Sequence, residues 1–292
     1  MDIAFVIINA VTVAAIYGLI AIAVSITWSS LGLVNLAYGF IFSFAGYAAW
    51  LAAGIPANAF LVAGTGIVAG AIAGIIVCLL VFIPLHDKPA FTSRGMIATL
   101  AISLIGSQLF LMVFGPTSKS LPDLFGRWKV KFFNITLTAD KIGIVVCSIA
   151  MLIGVVLWMR SSRRGLEIRA MMMNPHAASI VGIGIRRTGL YVMGLTGAMA
   201  GLAAVLLSQT YYIAPFSGLT PLIKGVSIAL CGGLGSVQGA VIAAILLGVI
   251  EALTNKFLGG QYVLMTQFLF IILVLIVRPR GISGLVDKAR EQ

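Results

Sequence analysis

Apolar runs long enough to cross a lipid bilayer follow one another along this chain of 292 residues. A membrane-spanning helix needs roughly 20 predominantly apolar residues. Candidate spans cover approximately residues 4–27, 31–53, 59–85, 95–115, 141–159, 188–208 and 262–277. The chain is 61% hydrophobic and only 9% charged, which is more apolar than a soluble core requires. The sequence therefore predicts an all-α integral membrane protein, with a single polytopic domain over residues 1–292.

One polar segment, residues 160–187, interrupts the apolar pattern and sets the predicted orientation. It contains one acidic residue, Glu167, and six arginines: Arg160, Arg163, Arg164, Arg169, Arg186 and Arg187. Basic loops between spans stay in the cytoplasm, so parity places the N-terminus outside, and the basic residues of the tail after Val277 place that tail inside as well. The net charge of +11 reflects this bias and contact with anionic membrane lipid. No nucleic-acid partner is expected.

The stretch 222–255 is also apolar, but glycine interrupts it. Because the span 188–208 leads outward and 262–277 must lead inward, this stretch has to begin and end on the outer side. A re-entrant pair satisfies that requirement, with one leg at about 222–231, a break at 232–236 and a longer leg to about 254. Two full crossings also satisfy parity, although the stretch is short for two standard spans. The sequence thus predicts about eight membrane segments.

The loop 116–141 is basic, yet parity places it outside. Two interpretations stay open: it receives an acidic partner, or it is a solvated loop held by lipid headgroups. Small residues at four-residue spacing elsewhere (Gly66, Gly70 and Gly74, and then Gly197 and Gly201) favour close helix packing.

Signatures of catalysis and of metal binding are missing from the sequence. It contains no HExxH, CxxC or GxSxG, and no predicted span carries paired carboxylates. Without a GxxxxGK[ST] motif the chain cannot bind ATP through a P-loop. We therefore expect no enzyme activity, no catalytic residue, no metal and no cofactor in this chain. Glu251 is interpreted as interfacial or paired with a neighbour, and the charge inventory does not resemble a proton relay.

The basic segment contains the signals of a short helix. Asn174 is a favourable N-cap residue, Pro175 suits the first helical position, and Gly182 suits the position after the helix. Its apolar positions are Ala177, Ala178, Ile180 and Val181. Two helical turns are marginal in isolation, so the helix must dock on something. Either it docks on its own membrane domain, or it inserts into a groove of a soluble partner.

Candidate pathway residues are polar or glycine positions inside spans or at breaks, where irregular backbone can line a path. They are Asn35, Tyr38, Gly39, Gln209, Gly232, Gly233, Gly235 and Ser236. Further polar candidates are Ser103, Gln108, Tyr211, Tyr212 and Gln267. The alternative for each polar side chain is an interhelical hydrogen bond.

Four stretches in one order resemble a known family. GLEIRAMMMNPHAASIVGIGIRR (165–187) is similar to the cytoplasmic loop of permease subunits of bacterial ABC importers of the branched-chain amino acid class. GLVNLAYGFIFSFAGYAAW (32–50), GGLGSVQGAVIAAILLGVIEAL (232–253) and RPRGISG (278–284) resemble other parts of the same permeases. The resemblance covers essentially the whole chain and is strongest to the LivH type, rather than the LivM type.

The resemblance implies one part of a larger machine in the bacterial cytoplasmic (inner) membrane. A second, LivM-like permease would complete the pathway as a heterodimer. Two cytoplasmic ABC ATPases would bind ATP-Mg, and a periplasmic or extracellular binding protein would deliver cargo. Contact with an ATPase would fall to the coupling segment: Arg169, Asn174, Pro175, Ala177, Ala178, Ile180 and Gly182.

The expected cargo is a branched-chain or related small apolar amino acid. Tyr38 stands where many relatives carry histidine, so cargo identity is not carried over directly. The first alternative keeps the machine and changes the cargo to urea, a short amide or a small aromatic or carboxylic acid. The second alternative is a self-contained channel or ion-coupled carrier.

Overall fold

The computed structural model describes residues 2–54, 58–126, 128–132 and 135–283, and most of them are helical. The first half contains α1 (Asp2–Leu31), α2 (Tyr38–Ala53), α3 (Ala59–Val77), a π-helical turn (Cys78–Phe82), α4 (Ile83–Leu85) and α5 (Phe91–Phe114). A hairpin of β1 (Lys129–Phe132) and β2 (Ile135–Thr138) follows. The second half contains α6 (Ala139–Ser161), α7 (Arg163–Met173), α8 (Pro175–Ile180), α9 (Ile185–Leu207), α10 (Leu219–Gly232), α11 (Val237–Phe257) and, after a 3₁₀ turn (Gly260–Tyr262), α12 (Val263–Val277).

Seven helical spans in the described part of the chain are long and apolar enough to cross a membrane. The helices α2 and α10 are apolar but shorter, with 16 and 14 residues. The predicted class, an all-α membrane protein, is confirmed. The exception is the β1–β2 hairpin, in which Lys129 pairs with Thr138 and Phe132 with Ile135. Sequence reasoning treated these residues as part of a loop.

The most extensive contact between two helices in the described part of the chain joins α3 to α9, which cross in antiparallel directions. A β-carbon at Gly70 would overlap the carbonyl oxygen of Gly197, and one at Gly74 would overlap that of Met193. A β-carbon at Gly201 would likewise overlap the carbonyl oxygen of Gly66. Without side chains in the way, the two backbones approach closely enough for dense van der Waals packing. The glycine spacing therefore serves a contact within one chain.

The helix α1 is the centre of the other half of the molecule. Gly18 meets Ala244 of α11, and Gly248 of α11 meets Ala10 and Ala14, so these two helices run antiparallel. Gly225 of α10 packs against Ile20. Both legs of the predicted re-entrant stretch therefore pack on α1.

The glycine break between those legs lies where the sequence predicts it. The helix α10 ends at Gly232, and the left-handed backbone of Gly233 and Gly235, with φ of +94° and +92°, turns the chain. Ser236 then caps α11, because its Oγ accepts a hydrogen bond from Gly239 N at 3.0 Å. Such φ values carry little steric penalty only for glycine.

The break packs against the segment that follows α12. Ile282 N donates to Cys231 O at 2.9 Å, and Ser283 N donates to Gly232 O at 3.0 Å. Gly235 also lies beside Ser29, in the last turn of α1. The break therefore reaches the end of the bundle at which α1 and α12 finish. The pair is a helical hairpin whose first leg, α10, is a short helix of 14 residues.

The predicted span 31–53 is wrong at its start. The helix α1 continues to Leu31, and α2 begins only at Tyr38. Between them, Gly32 adopts a left-handed φ of +66°, and Asn35 Oδ1 accepts a hydrogen bond from Ala37 N at 2.9 Å. Side-chain bonding of this kind competes with helical bonding, so 32–37 stays irregular although most of its residues are apolar.

Candidate functional site

A cavity in the described part of the structure lies between α1, α2, α9, α10, α11, α12 and the connection 208–218, and it is partly open to its surroundings. Its volume is about 590 Å³, within the range of about 300–1,000 Å³ usual for small-molecule sites. Apolar walls come from side chains such as Phe42, Leu207 and Leu264, and polar groups come from Tyr211, Tyr212 and Asn255. In the predicted orientation this cavity lies at the outer end of the bundle.

A buried ion pair forms part of the cavity wall. Lys224 of α10 is 7% exposed, and Glu251 of α11 is 3% exposed. Lys224 Nζ donates to both carboxylate oxygens of Glu251 at 2.8 Å. Gln267 Nε2 of α12 donates to Glu251 Oε2 at 2.7 Å. The pair thus joins three helices at one point inside the apolar bundle.

Tyr17 of α1 completes the cluster around Lys224. The ammonium lies 4.6 Å from the centroid of the Tyr17 ring and 3.4 Å from its hydroxyl oxygen. Aromatic faces attract cations, and the attraction grows when water is excluded. Tyr17 and Glu251 also line a second cavity of about 360 Å³. The charged cluster therefore lies where two cavities meet.

The short helix α8 has the caps that the sequence predicts. Asn174 Oδ1 accepts hydrogen bonds from His176 N and Ala177 N, both at 3.0 Å. At the other end, Gly182 has a φ of +86°, Gly182 N donates to Ser179 O, and Ile183 N donates to Ala178 O. These two bonds form a Schellman motif, which satisfies carbonyls at a helix C-terminus.

The exposed surface of α8 combines the polar residues His176 and Ser179 with apolar side chains. Ile180 and Val181 are 75% and 76% exposed, and Met173 just before the helix is 83% exposed. Ala177 is exposed as well, but Ala178 is 3% exposed because it faces the interior of its own chain. Of the predicted contact residues, Ala178 is thus inaccessible to a partner, whereas Ile180 is fully presented.

An eleven-residue helix that sequence reasoning missed, α7, supports α8. Its residues Ile168 and Met171 are fully buried, and Ser162 Oγ caps it by accepting a hydrogen bond from Gly165 N at 2.8 Å. Arg169 turns inward, where its Nη2 donates to Arg160 O at the end of α6 at 3.4 Å. The base of α8 is therefore fixed to the membrane domain.

An ion pair between Arg186 and Asp87 joins the start of α9 to the loop after α4. His86 next to it packs between Phe82 and Phe91. Burial lowers the pKa of the His86 imidazole, and the Arg186 guanidinium acts in the same direction against the opposing charge of Asp87. The 86–90 loop is thus held against α9.

Three locations in the fold contain the predicted pathway residues. Asn35 and Tyr38 are fully buried, and the Tyr38 hydroxyl is hydrogen-bonded to Thr27 Oγ1 at 2.7 Å. Gly39 contacts Gly218, and Gln209 Oε1 accepts a hydrogen bond from Leu124 N at 3.1 Å. The remaining residues form the α10–α11 break: Gly232, Gly233, Gly235 and Ser236. Among the described residues, none of these eight lines the 590 Å³ cavity.

Comparison with known families decides the identity of this fold. Residues 6–277 match the family described as branched-chain amino acid transport system / permease component. The chain belongs to that permease family. It is 32% identical to the high-affinity branched-chain amino acid transport system permease protein LivH of Salmonella typhimurium, over 94% of each chain. It is 30% identical to BraD of Pseudomonas aeruginosa, over 95% of this chain and 94% of that one.

Two further likenesses are more limited. The permease is 36% identical to the guanosine ABC transporter permease protein NupP of Bacillus subtilis, but only over 37% of this chain and 31% of that one. Its fold is similar to PsaBC from Streptococcus pneumoniae in complex with Fab, with a TM-score of 0.52 and 12% identity over 93% of this chain and 91% of that one. The second likeness concerns the fold alone.

Family and structure together identify the permease as a LivH-type, multi-pass protein of the cytoplasmic (inner) membrane. Sequence reasoning recognised that family but missed Lys224, which it read as part of an apolar leg. The signal was available, since a lysine inside an apolar membrane helix marks a functional position by default. Its partner Glu251 was noticed, but their pairing across 27 positions depends on the α10–α11 hairpin.

Proposed function

We propose that this permease is the membrane-spanning subunit of an ATP-driven importer. It would form the pathway with a second, LivM-like permease, and two cytoplasmic ATPases that bind ATP-Mg would drive it. A binding protein outside the membrane would deliver a branched-chain or related small apolar amino acid. The observation that carries this proposal is the match of residues 6–277 to the permease family.

The shape of α8 supports the coupling part of the proposal. A rigidly based, doubly capped helix that presents Ile180 and Val181 to solvent suits the helix-in-groove mode of recognition. Because α7 ties α8 to α1, α6 and α9, a displacement of α8 would pass into the bundle as a rigid-body motion. Asn174, Pro175 and Gly182 would shape this helix, and Arg169 would fix its base.

Nucleosides are a second candidate cargo. The partial likeness to NupP favours them, and the cavity offers aromatic and polar walls at Tyr211, Tyr212 and Asn255. Urea, short amides and small aromatic or carboxylic acids belong in the same comparison, since a binding protein outside the membrane would select among them.

Vesicle uptake tests the proposal. The permease should co-purify with its ATPases and with a second permease, and vesicles holding the complex should accumulate leucine only with ATP and the binding protein. Accumulation that ignores ATP, from a permease that purifies alone, would favour a self-contained channel or carrier. Competition by leucine, guanosine and urea would rank the candidate cargoes.

Replacement of Ile180 tests the role of α8. The variant Ile180→Asp should abolish ATP-driven uptake and ATPase co-purification while the permease stays inserted and folded. Leu166→Asp is a matched control, because Leu166 is an exposed apolar residue of α7, at 59% exposure. Normal uptake by Ile180→Asp, or equal loss in both variants, would remove α8 from the coupling role.

A further inference from the structure

The buried pair Lys224–Glu251 needs an explanation beyond stability. Charged side chains inside a membrane domain are costly, and well-packed apolar residues of similar volume usually stabilise as much as a buried ion pair. Here the two charges join three helices and also line the 590 Å³ cavity. A molecule that enters the cavity would therefore come close to both of them.

The internal bonds of the pair leave it neutral overall and hydrogen-bonded on both side chains. The ammonium of Lys224 has three protons, two directed to Glu251 at 2.8 Å and one facing the Tyr17 hydroxyl at 3.4 Å. Glu251 accepts two bonds from Lys224 and one from Gln267. A cargo molecule that carries only one charge would therefore be attracted by one member of the pair and repelled by the other.

A molecule that carries both charges close together avoids that conflict. An amino-acid zwitterion has an ammonium and a carboxylate on neighbouring carbon atoms. Set head-to-tail against the pair, its carboxylate would face Lys224 while its ammonium faces Glu251. Each charge then keeps an opposite neighbour, and no buried charge loses its counter-ion.

The cavity also suits the other end of such a cargo. Leu207, Val263 and Leu264 line the same cavity as the ion pair, and an aliphatic side chain would pack against them. Burial of that side chain provides affinity, and the charge array provides selection against molecules that lack one charge.

We propose that Lys224 and Glu251 form a recognition site for the zwitterionic backbone of an amino-acid cargo, at the floor of the 590 Å³ cavity. This inference rests on the proposed function, which makes the cargo an amino acid. It assigns the zwitterion to this permease itself, in addition to the binding protein outside.

The test is cargo protection of a reporter cysteine in the complete importer, held in nanodiscs without ATP. Thr220→Cys places a thiol in the cavity wall, in a Cys147→Ala background whose two other cysteines, Cys78 and Cys231, are buried, and a maleimide measures its accessibility. Phe216→Cys is the control, because Phe216 is exposed in the same connection but does not line the cavity. L-leucine should slow labelling at position 220 and leave position 216 unchanged.

Two leucine analogues distinguish recognition of the zwitterion from simple occupancy of the cavity by an aliphatic molecule. Leucinamide lacks the carboxylate, and 4-methylpentanoate lacks the ammonium; neither should protect position 220. Protection by either analogue at the concentration at which leucine protects, or no protection by leucine, would overturn the inference.

Neutralising both charges tests the residues themselves. In Lys224→Met/Glu251→Gln no buried charge is left unpaired, so the double variant should fold and assemble. Half-maximal protection should then need at least about tenfold more leucine, since two charge-assisted hydrogen bonds are lost. Unchanged protection in a folded double variant contradicts the inference. Loss of ATP-driven uptake by the unaltered importer would instead count against the proposed function, because protection is measured without ATP.

Discussion

The α3–α9 crossing and the Lys224–Glu251 cluster represent opposite solutions to packing helices in a membrane. At the crossing, Gly70 and Gly197 remove side chains so that backbone meets backbone. At the cluster, long charged side chains hold α10, α11 and α12 around open cavities. The first arrangement tolerates almost no displacement, whereas the second borders open space. We therefore expect the crossing to stay rigid, and the cluster is the region that we propose contacts cargo.

The largest effect is expected from a substitution that disrupts the α3–α9 crossing. Gly70→Leu would force a side chain into the backbone of Gly197 and Gly201, which cannot move aside as a flexible side chain can. We expect no folded permease, measured as loss of the monodisperse peak in size-exclusion chromatography. Gly64→Leu on the same helix meets nothing within 4 Å and should elute normally. A normal Gly70→Leu profile would contradict the described crossing.

The next largest effect is expected in the Lys224–Glu251 cluster, where a single and a double variant separate the contribution of charge from that of packing. Lys224→Met alone leaves Glu251 buried without its counter-ion and should cost about 3–5 kcal/mol of folding free energy. Adding Glu251→Gln should recover most of that loss, because no unpaired charge remains. The measurement is thermal unfolding followed by chromatography. Additive losses in the double variant would mean that the two side chains do not interact.

A smaller effect concerns the turn that joins α10 to α11. Ser236→Ala removes the Oγ that accepts from Gly239 N, so α11 should lose about 1 kcal/mol of stability. Ser227→Ala on α10, which removes no helix cap, should stay within about 0.5 kcal/mol. Equal melting temperatures of the two variants would show that the cap is dispensable.

The smallest effect tests the aromatic side of the cluster. Tyr17→Phe keeps the ring beneath the Lys224 ammonium and removes only the hydroxyl at 3.4 Å. We expect a loss of about 0.5–1 kcal/mol. A loss as large as that of Lys224→Met would identify the hydroxyl, rather than Glu251, as the main partner of the lysine. Tyr262→Phe in the exposed 3₁₀ turn is the control.

Local chemistry made part of this fold predictable. The span lengths, the Asn174 cap, the Gly182 terminus and the break before Ser236 each follow from a few neighbouring residues. The caps on α8 could be foreseen because they depend only on the Asn174 side chain, the Gly182 backbone and the backbone groups of one short helix.

The rest depends on contacts between distant residues. The late start of α2 is the local exception, because Asn35 Oδ1 accepts a hydrogen bond from Ala37 N in an otherwise apolar stretch, where composition alone indicates a helix. The inward position of Ala178 and the burial of Tyr38 are set by neighbouring helices. The meeting of Lys224 with Glu251, and the cavity around them, exist only once α10 and α11 fold back on α1.

The hydrogen bonds from Ile282 and Ser283 to the end of α10 have a consequence for synthesis of the permease. The ribosome releases Cys231 and Gly232 well before it has made the residues that donate to them. Until α12 has entered the bilayer, the carbonyls of that turn need water or another temporary donor. The α10–α11 turn therefore completes its bonding late, and a nascent chain halted before residue 282 would retain an unfinished junction at this end of the bundle.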